Sequence, residues 1–174
     1  DNSHAAKYQK RVVDKKNLDA SNAYFAEFVK EVHARGMRII LDGVFNHCGS
    51  FNKWLDRECL YEGDGIYEKG AYVSASSPYR DFFKFNNEHE WPYNPYYDGW
   101  WGYDTLPKLN YEQSPNLREY ILHIAEKWLK PPYSVDGWRL DVAADLGYSE
   151  AYNHDFWRAF RQRVKKTNPE ALIL

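Results

Sequence analysis

The chain has 174 residues, 44% hydrophobic and 28% charged, with 23 basic against 25 acidic side chains and a formal charge of -2. These values exclude a disordered tail and suit one ordinary globular domain or a piece of a larger one, with no overall field to attract nucleic acid. No apolar run approaches the roughly 18 to 20 residues that span a bilayer and the start shows no signal-peptide pattern, so neither a nucleic-acid nor a membrane partner is expected.

In chain order, the first seventeen residues are polar and basic without a period and are read as loop. Leu18, Phe25, Phe28, Val29 and Val32 then recur at helical spacing, predicting an amphipathic helix over 18–35 with Asp19 or Ser21 as cap and Gly36 as its stop. Met37 to Leu41 is a short apolar run ending at Asp42, the pattern of a buried parallel strand. From Cys48 to Gln113 the chain is rich in Gly, Pro, Asn and aromatics, and far longer than the roughly 2 to 6 residues of an ordinary strand-to-helix connection. It predicts an irregular inserted subdomain. Ser114 and Pro115 open a second helix with Leu117, Ile121, Ile124, Trp128 and Leu129 on one face, closed by Pro131 and Pro132. Val135 to Leu140 reads as a strand finishing on Asp141. A third unit starts near Ser149, carries Phe156, Trp157, Phe160 and Val164 on one helical face, and leads into a strand at Ala171 to Leu174. Three helix-to-strand units predict a parallel α/β sheet or barrel, because parallel strands need crossover connections.

In such folds the carboxyl ends of the strands line the ligand site, so Asp42, Asn46, His47, Arg139 and Asp141 are expected to converge. An Arg two residues before an Asp on one strand points to the same side. Its guanidinium can hold that carboxylate ionised and oriented, which suits a nucleophile, or equally a structural ion pair. Aromatic residues make up 18% of the chain. Trp100 and Trp101 offer indole faces to a ring-shaped ligand, with buried packing between the subdomain and the rest of the fold as an equal alternative. Cys48 and Cys59 form neither a CxxC pair nor a disulfide framework, and Cys48 beside His47 has the wrong spacing for a metal pair. Asn153 and Asp155 are read as helix-cap residues, and Arg158, Arg161, Arg163, Lys165 and Lys166 as a solvated helix face.

The segment Asp42-Gly43-Val44-Phe45-Asn46-His47 resembles the DxVxNH motif of the α-amylase family, glycoside hydrolase family 13. Gly137-Trp138-Arg139-Leu140-Asp141 is similar to its GxRxD motif, and Leu106-Pro107-Lys108-Leu109-Asn110 to the MPKLN motif of the neopullulanase and cyclomaltodextrinase group. The resemblance implies part of a (β/α)8 TIM barrel, about strands 3 to 5, with an inserted domain B. The expected division is 1–47 barrel segment, 48–113 domain B and 114–174 barrel segment. It implies retaining hydrolysis of α-glucosidic bonds through a covalent glycosyl-enzyme intermediate. Asp141 matches the nucleophile, Arg139 the arginine that orients it, and His47 a histidine that bonds the sugar, with Asp42 and Asn46 supporting that geometry. The implied substrate partner is an α-glucan or maltooligosaccharide. The family's general acid, a Glu just past the fifth strand, is not in the sequence. The 174 residues alone are therefore expected to be inactive, and as an incomplete barrel to self-associate or to join the remaining parts of the enzyme.

Lys108 stands where many α-amylases carry a calcium-binding Asp, and an ammonium repels a cation, so neither metal nor cofactor is expected. Ala144-Asp145 replaces the Asn-Glu common in the neopullulanase group, leaving linkage preference open. A 4-α-glucanotransferase shares every motif, and a non-catalytic glucan-binding protein is the alternative of another class. An aspartate-dependent phosphatase would need a second Asp where Val44 stands. The compartment is not readable from the residues themselves; the cyclomaltodextrinase-like motif alone favours the cytoplasm.

Overall fold

The computed structural model describes residues 13–63 and 65–174. They form two compact units, one of residues 46–114 with the described residues up to Leu18, the other of residues 19–45 and 115–174.

The second unit is the α/β part. Its elements are α1 (Lys15–Ala34, whose first turn groups with the other unit), β1 (Ile40–Val44), α2 (Pro115–Lys127), β2 (Gly137–Asp141), α3 (Glu150–Thr167) and β3 (Leu172–Ile173). The strands pair in parallel in the order β1-β2-β3, with Asp42 opposite Arg139 and Val44 opposite Asp141. Gly137 permits the close approach of the last two strands, since a Cβ there would lie 2.3 Å from the carbonyl oxygen of Leu172.

The core follows the helical spacing. Phe156, Phe160 and Val164, one turn apart on α3, are fully buried, each such side chain worth roughly 1.5 to 3 kcal/mol of apolar burial. Phe160 meets Phe45 at 5.5 Å, and Phe45 meets Trp138 at 5.4 Å. From α2 come Leu117, Ile121, Leu122 and Ala125. The same two helices are tied by Arg118 to Asp155 at 2.8 Å, and by Arg163 to Glu119 at 2.7 Å and Glu126 at 2.9 Å. Arg163 therefore bridges helices, a correction to the expected solvated face. Lys165 likewise donates to the carbonyls of Pro169 and Ala171.

Other expectations shift by a few residues. The helix read over 18–35 starts at Lys15, so 15–17 are helical rather than loop, while the loop expected at 1–12 lies outside the described residues. Strand β1 covers 40–44 rather than 37–41, and Met37 is exposed. Its frame is set by Asp136, whose N–H donates to the Ile39 carbonyl and whose carboxylate accepts from the Ile39 N–H, both at 2.8 Å. Strand β2 correspondingly runs one residue further, to Asp141. Leu18 and Phe28, expected on the buried face of α1, are 43% and 50% exposed. Phe25 instead joins Trp128 and Tyr133 in an aromatic cluster. With Leu41, Val44 and Ile124, Phe25 and Trp128 line an open groove of about 600 Å³.

The first unit is irregular. Its described residues contain two short 3-10 turns, at Arg80–Phe82 and Trp100–Gly102, and isolated bridges such as Phe83 with Leu109 and Phe85 with Tyr97. Leu55, Ala71, Phe83, Leu109 and Tyr111 form its core. Arg80 lies on the faces of Phe85 and Trp91 at 4.5 and 4.7 Å.

Candidate active site

Arg139 stands at the centre of a three-residue cluster. The parallel register puts it opposite Asp42, and the two-residue repeat of β2 puts Asp141 on its own side of the sheet. Its Nη1 donates to Asp42 Oδ1 at 2.9 Å and Oδ2 at 3.1 Å and lies 2.7 Å from Asp141 Oδ1. The hydrogen bond to Asp42 leads in raising the guanidinium's pKa, against desolvation and with the charge of Asp141 adding to it. Of the three side chains Asp141 is the least open, at 30% exposure. The sequence foresaw the Arg139 to Asp141 contact; the hold of Arg139 Nη1 on both oxygens of Asp42 depends on strand pairing.

Immediately after Asp141 the chain leaves the sheet through Val142, whose φ of 53° and ψ of 33° are left-handed. A β-branched residue pays about 1 to 2 kcal/mol for that conformation. The following turn, Ala143–Asp145, is closed by the Asp145 N–H donating to the Val142 carbonyl at 3.1 Å. Two side chains of α3 hold it from below. Asn153 Nδ2 donates to the carbonyls of Ala143 at 2.8 Å and Leu146 at 2.9 Å, and Trp157 Nε1 to the Ala143 carbonyl at 2.8 Å. Asn153 is thus no helix cap. Ser149 caps α3, accepting from the Tyr152 N–H at 3.3 Å, and Asp155 pairs with Arg118. Only the one-turn spacing of Asn153 and Trp157 hinted at this in the sequence.

Asn46 and His47 belong to the other unit. Both are buried, and Asn46 Nδ2 lies 3.3 Å from His47 Nδ1. The His47 ring stacks on Trp100 at 4.8 Å with an interplanar angle of 6°. Trp100 in turn meets Trp101 at 5.1 Å. Trp100 is therefore engaged by two rings, whereas Trp101, left-handed at φ 52°, is 78% exposed. Cys48 is half-buried, and burial pushes its thiol pKa up, away from thiolate reactivity.

A calcium ion does not fit these residues. Asn46 Oδ1 is buried without a hydrogen-bond partner, but Lys108 lies on the segment that bridges His47. Among the described residues no group of three or more His, Cys, Asp or Glu side chains could hold a metal. One amide oxygen is far short of the 6 to 8 oxygen ligands calcium takes.

A parallel sheet with an Arg-held carboxylate at a strand end is an α/β arrangement common to many proteins, and comparison with known proteins makes it specific. Residues 20–174 match the model of the alpha amylase catalytic domain. A cyclomaltodextrinase of Geobacillus thermopakistaniensis is 37% identical over 150 residues, covering 84% of this chain and 22% of that protein. The intracellular maltogenic amylase of Bacillus subtilis is 37% identical over 152 residues, with 86% and 22% coverage. The debranching enzyme of Nostoc punctiforme superposes with a TM-score of 0.63 at 35% identity, covering 87% of this chain and 28% of that one. The chain belongs to the α-amylase catalytic domain family, whose fold is a TIM barrel. It spans about a fifth of the length of these curated relatives. Among the described residues no helix is long and apolar enough to cross a membrane.

Proposed function

We propose that these residues supply the nucleophile half of a retaining α-glucan hydrolase, with Asp141 attacking the anomeric carbon to form a glycosyl-enzyme ester. The observation that carries this reading is the 2.7 Å contact of Arg139 with Asp141 Oδ1. The contact fixes the orientation of the carboxylate at the end of β2, while partial exposure leaves it open to a substrate. Asp42, held through both oxygens by the same guanidinium, is committed as an acceptor and does not suit proton donation. The retaining mechanism calls for a separate acid and base roughly 5 to 5.5 Å from the nucleophile, a role we assign to none of the described residues. Within the irregular unit, by itself, we assign His47, whose ring lies beside Asn46, and the open indole face of Trp101 to sugar contact. The substrate class is a maltooligosaccharide or related α-glucan, as the names of the cyclomaltodextrinase and maltogenic amylase suggest. Resemblance to an enzyme named as intracellular supports a cytoplasmic setting, which cell fractionation would check.

The test is hydrolysis of p-nitrophenyl α-maltoside by the full-length polypeptide that carries these residues. Asp141→Asn should lower kcat on the order of 10⁴-fold with the fold intact, and the first product should keep the α-configuration by NMR. A variant within tenfold of the parent, or a β-configured first product, refutes the assignment.

A further inference from the structure

We propose that Asn153 and Trp157 are positioning residues for Asp141, acting through the carbonyl of Ala143; the inference rests on Asp141 being the nucleophile. Asp141 is the last residue of β2, so the strand fixes it from one side only. On the other side the chain enters Val142, a residue whose branched side chain favours extended backbone but which sits at φ 53°, ψ 33°. Such a conformation persists only where the surroundings over-determine it. Here the determinant is visible. The Ala143 carbonyl accepts from Asn153 Nδ2 and from Trp157 Nε1, each at 2.8 Å, and Asn153 also holds the Leu146 carbonyl at 2.9 Å.

These two donors lie one helical turn apart on α3, so a single rigid element grips the turn twice. Asn153 is 8% exposed and Phe156, Phe160 and Val164 anchor the helix beneath it. Released from that grip, Val142 relaxes toward extended or right-handed backbone and the peptide joining it to Asp141 swings. The carboxylate then moves against Arg139, where its contact is short. Neither α3 residue touches a substrate; their effect passes through backbone. Trp157 also packs edge-on against Phe156 and Phe160 at 5.0 and 5.4 Å, a role that Phe at 157 retains.

The experiment uses the full-length polypeptide with Trp157→Phe and Asn153→Ala, each alone and with Val142→Gly. A misplacement near 1 Å costs about 10²-fold in rate, so each single variant should lose about ten- to a hundredfold in kcat at unchanged KM. Glycine enters the left-handed region without steric penalty, so Val142→Gly should restore kcat to within about threefold of the parent in each background. Wild-type kcat in Trp157→Phe, or the same loss with and without Val142→Gly, overturns the proposal. The Val142 13Cα and 13Cβ shifts give a readout independent of turnover. They should move from left-handed toward extended-chain values in Trp157→Phe, and unchanged shifts overturn the clamp. An inactive parent with clamp-dependent Val142 shifts counts against the nucleophile reading and leaves the clamp standing as backbone control alone.

Discussion

Asp56 offers a titration that can be worked through from its surroundings. Its side chain is fully buried in the irregular unit, on a residue with φ 55°. Oδ1 accepts the Leu60 N–H at 2.8 Å and Oδ2 the Tyr61 N–H at 3.3 Å. Burial raises its pKa from the ordinary 3.8 to about 6, outweighing those two bonds, and the charges of Glu62 and Glu58 push the same way. A carboxyl raised in the folded state contributes stability that is complete below its unfolded pKa and is lost as pH rises through the folded one. Between pH 3.5 and pH 7.5 the loss amounts to about 3 kcal/mol. Asp56→Asn keeps one acceptor and gives up the other, at about 1 kcal/mol, but never ionises. The variant should therefore be the less stable protein at pH 3.5 and the more stable one, by about 2 kcal/mol, at pH 7.5. Urea midpoints in half-unit pH steps measure this, and groups common to both proteins cancel in the difference. A difference that stays flat across the range, or that moves in favour of Asp56 as pH rises, refutes the argument.

Arg139→Met removes the cation whose Nη1 meets both carboxylates, so kcat should fall about 10²-fold with the fold retained; a variant within threefold of the parent would show that Asp141 needs no cation beside it. Phe160→Ala removes a fully buried ring contacting Phe45, Phe156 and Trp157, and chemical denaturation should show a loss of about 3 to 5 kcal/mol. A loss under about 1 kcal/mol would mean that the surrounding aromatic rings close the space.

What the sequence revealed depended on how local each feature is. Helix faces were legible where a turn-by-turn apolar spacing met a packing partner, as with Phe156, Phe160 and Val164. On α1 the same spacing placed Leu18 and Phe28 inward, yet both are largely open, because periodicity says which face is apolar and not what covers it. Strand ends drifted for a related reason: the run Met37 to Leu41 marks an apolar stretch, but the frame of β1 is fixed by Asp136, far along the chain. Arg139 and Asp141 were readable as a pair from spacing within one strand, whereas Asp42 joining them requires the register between two. Val142 was hidden altogether, since its residue type argues for strand while its backbone is left-handed beside a carbonyl held from α3.

At the end of β2 two carboxylates share one guanidinium. This corner of the molecule consequently carries one uncompensated negative charge. On the proposed function a neutral sugar enters that field without penalty, and a phosphorylated or uronic sugar enters against it. If Asp141 is the nucleophile as proposed, a pyranose ring gaining positive character at its anomeric carbon is drawn to the same charge, so the imbalance that opposes anionic ligands favours the passage of a neutral one toward its reactive state.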